Sequence, residues 1–442
     1  MLNENSPVTF ADALPTEVDV VVIGGGVIGV STAWFLAQRG VSVLVCEKGR
    51  ISGEQSSRNW AWIRKHGRDP AELPIVIESV EHWESISREV PEDIGFARHG
   101  VLYLAENERE LAVRERWLTV AKDHDLDTRM LGKSELSKLF KDTPHHWIGG
   151  AFTPSDARAE PFIAVPALAR AAQRKGVDLI ENCAVRCIDV AAGRVDGVVT
   201  EQGLVRCSSV VCAGGAWASM FCRNLGYDFP QLTVRATVAR TAPAVEIFNG
   251  SAASSRLAFR RRSDDGYTLA ANGYFDHFVS RDSFRYLHRF MPSVKRSFGN
   301  YKLRFGIDLF ERLRTTEPWS GDTVSPFEKT RVLNPAPSAS AIDAIAIQVK
   351  RELPKLAGVP LVQSWAGMID TTPDVVPVMD RIEQIPGMFV AAGFSGHGFG
   401  IGPGAGRVMA DMIIGNTLGH DMSRFRIGRF SDGSKLELGP TI

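Results

Sequence analysis

Hydrophobic and polar positions change period several times along the chain, and the first change is the sharpest. The apolar run Val18-Asp19-Val20-Val21-Val22-Ile23 leads into a glycine cluster, a helix-like stretch to Arg39, and then Val41-Ser42-Val43-Leu44-Val45. Continuous β-branched runs suit parallel strands buried on both faces, so this beginning predicts a βαβ unit. From Pro74 to Phe140 the apolar residues recur at helical spacing among many charges, which predicts surface helices around the strand-like Gly100-Val101-Leu102-Tyr103-Leu104. Pro161 to Lys175 reads as a further helix. Val177 to Cys212 breaks into short runs at Gly193, Gly197 and Gly203, as a strand followed by an antiparallel meander would, and its last run, Ser209 to Ala213, ends in Gly214-Gly215.

Residues 231 to 357 lose that alternation: Thr233 to Arg240 and Tyr267 to Ala271 are strand-like, and Ala339 to Leu353 is helical. The βαβ character returns with Gly387-Met388-Phe389-Val390-Ala391-Ala392, a glycine-rich loop to Gly406, and a helix from Arg407 to Ile414. The expected fold is α/β, α+β overall. A Rossmann-type domain drawn from residues 1–73, 150–230 and 358–442 interleaves with an antiparallel-sheet substrate domain from 74–149 and 231–357.

A length of 442 residues accommodates two such domains. Lys plus Arg and Asp plus Glu both count 51, so no uniform field is available to hold a nucleic acid, and the expected partner is a small molecule. The six cysteines form no CxxC pair and read as reduced, structural thiols. The first 18 residues lack a basic, then apolar, leader, and nowhere do eighteen apolar residues run together. A cytoplasmic enzyme is expected, with association to a membrane surface left open.

Gly24-Gly25-Gly26-Val27-Ile28-Gly29 satisfies GxGxxG between a strand and a helix, where backbone N–H groups reach a pyrophosphate. Glu47 lies 23 positions beyond Gly24, where an acid accepts hydrogen bonds from ribose hydroxyls. NAD and FAD share this fingerprint, and three further segments favour FAD. Ser52-Gly53-Glu54-Gln55-Ser56-Ser57-Arg58-Asn59-Trp60 is rich in small hydroxyl residues suited to wrap phosphates and a ribityl chain. Gly214-Gly215, with Trp217, follows a strand where backbone can approach a cofactor closely. Gly393 to Gly402, with Gly396, His397, Gly398 and Gly400, feeds a helix whose N-terminal dipole suits a flavin O2 that gains negative charge on reduction.

In this order, the segments resemble the D-amino-acid oxidase, glycine oxidase and sarcosine oxidase superfamily over nearly the whole chain. They are most similar to bacterial L-amino acid deaminases and opine- or iminodiacetate-type oxidases. Glu47-Lys48-Gly49-Arg50-Ile51-Ser52, Glu181 to Arg186 with Val185, Trp365-Ala366-Gly367 and Thr372-Pro373-Asp374 carry that likeness. The resemblance implies FAD on the first domain, with substrate between the flavin and the sheet of the second. Where sarcosine oxidases attach flavin through a cysteine this chain has Gly367, which implies non-covalent FAD. Where they carry a carboxylate-binding lysine it has Gly400.

The resemblance places a substrate arginine within Phe259-Arg260-Arg261-Arg262, and arginine's fork suits a carboxylate. In an extended segment Arg260 and Arg262 share one face and Arg261 the other, and Arg260 and Arg261 stand as equal candidates. Arg58 and Arg64 are further candidates to face flavin or substrate. Trp60, Trp62 and Trp365 are candidate walls, Trp365 the one within a family-like segment, and His66 and His397 are the titratable groups near the expected loops. The implied reaction oxidises the C–N bond of an amino acid or N-substituted amino acid, such as an opine, sarcosine or an iminodiacetate-like amine. Hydride passes to flavin N5, and the imine hydrolyses to an oxo acid plus amine or ammonia, with oxygen or a quinone as final acceptor and no metal. The arginine run makes a substrate with two carboxylates attractive. The alternatives are a flavin subunit of a heteromeric amine dehydrogenase and an NAD-dependent dehydrogenase.

Overall fold

The computed structural model describes residues 2–140, 147–296, 299, 301–305 and 318–439, so the stretches 141–146 and 306–317 of the expected second domain lie outside the described residues. The βαβ unit is present as Val20–Ile23, the helix Val27–Gln38 and Val43–Cys46. Val20 and Val22 pack into one core and Val21 into another, the two-sided burial that a continuous apolar run demands.

The cofactor-type sheet has six strands in the order Val378–Arg381, Met388–Ala392, Ser209–Cys212, Val20–Ile23, Val43–Cys46 and Asp178–Ile180. The first pair is antiparallel and the rest are parallel. Ser209–Cys212 is therefore not part of the meander. The antiparallel trio Val185–Ala191, Arg194–Thr200 and Leu204–Arg206 lies before it, and the chain then enters the parallel sheet beside Val20–Ile23.

The larger sheet runs Tyr301–Arg304, Phe275–Phe278, Leu232–Thr241, Tyr267–Ala271, Leu257–Arg261, Ser251–Ala253, Val101–Ala105, Gly149–Thr153 and Arg129–Gly132, with Leu361–Thr371 also pairing to Leu232–Thr241. It is mainly antiparallel; the pairs Ser251–Ala253 with Val101–Ala105 and Phe275–Phe278 with Tyr301–Arg304 are parallel. The helix Ala339–Glu352 covers one face, placing Ala344, Ile345 and Val349 against Leu257, Phe259 and Leu269.

Two assignments of segments to domains differ from the sequence expectation. Leu361–Thr371 belongs to the large sheet although it lies beyond residue 357, because its full length pairs with Leu232–Thr241. The helix Leu73–Glu89 packs Ile75, Val76, Val80 and Trp83 into the core of the cofactor unit, so that part of 74–149 belongs with the first domain.

The segment expected as a glycine-rich loop to Gly406 is helix from Gly398 to Ile414. Its glycines let helices touch: a Cβ at Gly402 would stand 2.6 Å from Val27 Cγ2, one at Gly404 2.5 Å from Ile75 O, and one at Gly406 2.4 Å from Ser31 Cβ. Pro403 inside the helix has no N–H for the carbonyl four residues back. Trp83 Nε1 donates to that carbonyl, Phe399 O, at 3.1 Å, and Ser79 Oγ donates to Gly400 O at 2.8 Å.

Candidate active site

The carboxyl edge of the parallel sheet opens into a long cavity that reaches the large sheet and encloses about 1860 Å³ of space, its mouth included. Gly24 (φ +108°) turns the chain out of the first strand, where a Cβ would meet Ala213 O at 2.6 Å. Gly29 does not line the cavity; a Cβ there would sit 2.0 Å from Gly24 O, so its hydrogen lets the helix start tightly on the strand. Gly26, Val27 and Ile28 line the space. Val27 N–H donates to Ser56 Oγ at 2.9 Å, which ties the hydroxyl-rich segment to the helix start.

Glu47 stands at the end of the second strand. Its Oε2 accepts from Gly25 N–H and its Oε1 from Gly49 N–H, both at 2.7 Å. Burial raises its pKa, while Lys48 and the two N–H groups offset part of the effect. A half-buried, doubly anchored carboxylate with lone pairs to spare suits ribose hydroxyls. Lys48 lines the same end and bonds Glu54 at 2.7 Å and the carbonyls of Thr330 and Arg331 at 2.8 Å, with its ammonium 4.4 Å from the centroid of the Trp217 ring.

Asn59, Trp60, Val185, Gly214 and Trp217 also line the cavity, as do Gly367, Gly396, His397 and Gly398. Arg58 does too, but its guanidinium fastens segments together: it donates to Asn334 Oδ1 at 2.6 Å and to Ala366 O and Leu2 O at 2.9 Å. Gly367 rests on that arginine's stem, where a Cβ would come within 3.2 Å of Arg58 Cβ. Ser57 and Gly400 are buried outside the cavity lining. The Gly24 turn, the half-buried Glu47 acceptor, the hydroxyl-rich segment and the continuous cavity fit a dinucleotide with a further ring system. The helix Gly398–Ile414 begins at that cavity, presenting its positive dipole end there.

The residues expected to bind substrate are not brought together. Arg260 is 1% exposed and spends its fork on Glu160, at 2.8 and 2.9 Å, with Trp60 O at 3.0 Å. Arg261, on the opposite strand face, bonds Asp265 and Ala244 O, both at 2.9 Å, and lies over Tyr267. Arg262 bonds both oxygens of Asp264. Trp365 is buried, donates to Arg58 O at 3.1 Å and meets Phe162 edge-on. None of these four lines the cavity. The strand carries an acid partner for each guanidinium, which the sequence pattern could not reveal because Glu160 is a hundred residues away.

The cationic end is instead built by Arg64 and Arg68, beside Trp60 and Trp62 and opposite Ala236, Val238 and Phe275 of the large sheet. Arg68 is buried with Nη1 unpartnered, and burial lowers its pKa to about 9. Behind it, Glu72 is fully buried with both oxygens unpartnered, and burial raises its pKa to about 8. His397 Nδ1 lies 3.4 Å from Glu72 Oε2 without hydrogen-bond alignment, and burial holds the ring neutral by pushing its pKa well down. Arg68 and Glu72 escaped the sequence reading. The signal available was the run of cations Arg64, Lys65 and Arg68 directly after two tryptophans.

Among the described residues no group of His, Cys, Asp and Glu is arranged to hold a metal ion, and no helix is long and apolar enough to cross a membrane. The family profile described as DAO, FAD dependent oxidoreductase, matches residues 19–412. The structure of L-amino acid deaminase from Proteus myxofaciens in complex with anthranilate matches with a TM-score of 0.93 and 30% identity, over 97% of each chain. Mitochondrial sarcosine dehydrogenase of Mus musculus is 26% identical over 94% of this chain but 42% of its own length, so the chain spans less than half of that relative. Sarcosine oxidase subunit beta of Arthrobacter sp is 23% identical, over 99% of this chain and 97% of the relative.

Proposed function

Because the chain belongs to the DAO family of FAD dependent oxidoreductases, and FAD is accordingly its cofactor, we propose that it oxidises the C–N bond of an amino acid or N-substituted amino acid held by its carboxylate. Membership removes the NAD-dependent alternative. The observation that carries the reading is the cationic end formed by half-buried Arg64 and buried Arg68, with an unpartnered donor on Arg68, in the same cavity as the Glu47 end.

The chain's residues divide the work along that cavity. Glu47 and the Gly24 to Ile28 turn hold the dinucleotide end, with Ser56 and Asn59 along its middle. FAD supplies the two-electron acceptor. Arg64 and Arg68 bind the substrate carboxylate with charge-assisted hydrogen bonds. Trp60, Trp62 and Phe275 exclude water around the carbon to be oxidised. Holding the carboxylate fixes the direction in which the Cα–H points, so binding energy at the arginines becomes orientation at the reacting bond. The related deaminase binds anthranilate, which carries a carboxylate beside an amino group, and this agrees with a carboxylate-plus-amine pocket.

The test is anaerobic flavin absorbance of the purified protein against L- and D-amino acids, N-methyl amino acids and opines, followed by air. Bleaching by one of these classes supports the proposal, and bleaching by none of them sinks it. Fast recolouring in air identifies oxygen as acceptor; slow recolouring identifies another acceptor, such as a quinone. A second reading, a flavin-bearing subunit of a heteromeric complex, draws on the nearly full-length match to a sarcosine oxidase subunit beta. Isolation of the tagged chain from its native cells, with or without companion chains in stoichiometric amount, separates the two.

A further inference from the structure

Between the short helix Pro326–Lys329 and the helix Ala339–Glu352 the chain passes along the Glu47 end of the cavity without entering a helix or strand. Its two flanks are firmly set. Phe327 is buried in the core of the cofactor unit among Trp217, Phe221 and Trp319, whose ring centroids lie 5.9, 6.0 and 5.3 Å away. On the other side Ser338 N–H donates to Thr237 Oγ1 at 2.9 Å and Arg235 donates to Ala336 O at 3.0 Å, which fixes the chain to the large sheet. Between these flanks Arg331 and Val332 line the cavity and Asn334 is exposed, so the segment stands between the cavity and solvent.

Polar ties hold this span down. The Arg331 guanidinium takes both oxygens of Glu201, the second at 2.6 Å, and donates to Lys48 O at 3.1 Å. Lys48 spends its three N–H donors on Glu54 at 2.7 Å and on the carbonyls of Thr330 and Arg331 at 2.8 Å, which leaves none for a phosphate. Leu333 N–H donates to Glu54 at 2.9 Å, and Arg58 donates to Asn334 Oδ1 at 2.6 Å. The approach is close: a Cβ on Gly49 would stand 2.1 Å from Arg331 O. Such ties exchange for water at small net cost, whereas withdrawing Phe327 from its core would expose a whole aromatic face.

We propose that residues 330–335 form a latch that swings between the Phe327 and Ser338 anchors to admit and release FAD, with the Arg331–Glu201 ion pair as its main catch. The inference rests on FAD being the cofactor and is independent of which amine is oxidised. Lys48 is thereby assigned to the latch and not to a cofactor phosphate. Each tie joins one protein atom to another, so weakening a tie favours the open latch equally in the loaded and the empty protein. A gate of this kind sets how fast FAD comes and goes and leaves its affinity almost unchanged.

The test uses the FAD-loaded protein and two variants at positions outside the cavity lining, Glu201→Gln and Asn334→Ala. Exchange of bound FAD for radiolabelled FAD gives the release rate, and equilibrium dialysis gives Kd. Each variant should speed exchange by about three- to tenfold, the worth of one partly buried, charge-assisted tie, and leave Kd within about twofold of the parent. Asn334 is exposed, so its truncation tests the latch even where Glu201→Gln disturbs the turn that carries it. An exchange rate that neither variant alters would overturn the latch. A Kd that rises in step with the exchange rate would overturn it too, because the segment would then be a contact for FAD and not a gate. No amine enters the measurement, so either result leaves the substrate reading where it stood.

Discussion

Replacing Arg260 by alanine separates a structural arginine from a substrate-binding one. The side chain is 1% exposed and holds both oxygens of Glu160, at 2.8 and 2.9 Å, as well as Trp60 O at 3.0 Å. Glu160 is itself buried; burial pushes its pKa up, but the charge and hydrogen bonds of Arg260 outweigh this and hold it below the ordinary carboxylate value. Removing Arg260 leaves that carboxylate with Ser263 N–H at 3.0 Å, Ser263 Oγ at 3.3 Å and Arg158 at 3.5 Å, the last too long for a good hydrogen bond. Breaking a buried pair from one side costs about 3–5 kcal/mol. With about 2.1 cal/mol/K of unfolding entropy per residue, 442 residues give about 0.9 kcal/mol per degree, so Tm should fall by about 3–5 °C. Glu160→Leu combined with Arg260→Leu should recover part of the loss, because the Glu160 carboxylate is then no longer buried without its partner, although Arg158 loses its contact at 3.5 Å. Differential scanning calorimetry of the FAD-saturated proteins measures the shift, and steady-state kinetics on a reactive amine measures KM. An unchanged Tm together with a tenfold or greater rise in KM (about 1.4 kcal/mol of lost binding) would refute the structural assignment and return Arg260 to the substrate.

Three further outcomes follow from the cofactor end and the buried acid. Gly29→Ala places a Cβ 2.0 Å from Gly24 O, so the variant should be recovered without bound flavin; absorbance of the purified protein decides. Glu47→Gln should weaken FAD binding by about tenfold in equilibrium dialysis, through loss of a charge-assisted acceptor. Glu72, with its pKa raised to about 8 by burial, stabilises the fold fully below its unfolded value near 4.5 and loses that contribution as pH rises through 8. Tm of the parent should therefore decline from about pH 5 to 9, and Glu72→Gln should flatten the decline. Parallel profiles for the two proteins would show that Glu72 is already ionised at low pH.

The cofactor unit was largely legible in the sequence because its signals are local. Strand, turn and helix start lie within thirty residues, and Glu47 follows on the adjacent strand. The helix Gly398–Ile414 reads as helix from Arg407 onward, but residues 398–406 read as loop because glycine has poor helix propensity, and what overrides that is close packing on Val27, Ser31 and Ile75, residues more than three hundred positions away. A separation of 100 residues hid the fate of Arg260, whose partner is Glu160. A strand bearing three consecutive arginines resembles a carboxylate site until Glu160, Asp264 and Asp265 are seen to take their charges. Arg68 and Glu72 carried no periodic pattern, and only their burial together beside His397 sets them apart from an ordinary charged turn.

The central claim is that the arginines of the cavity orient an amine through its carboxylate, and it is tested most directly by comparing a reactive amino acid with the amine that remains when its carboxylate is removed. With Arg64 and Arg68 intact, kcat/KM for the amino acid should exceed that for the bare amine by at least about a hundredfold, or 2.7 kcal/mol. Arg64→Ala should bring the two within about tenfold of each other, almost entirely by lowering the amino acid's value. Equal rates in the parent protein, or a preference that Arg64→Ala leaves untouched, would contradict the account.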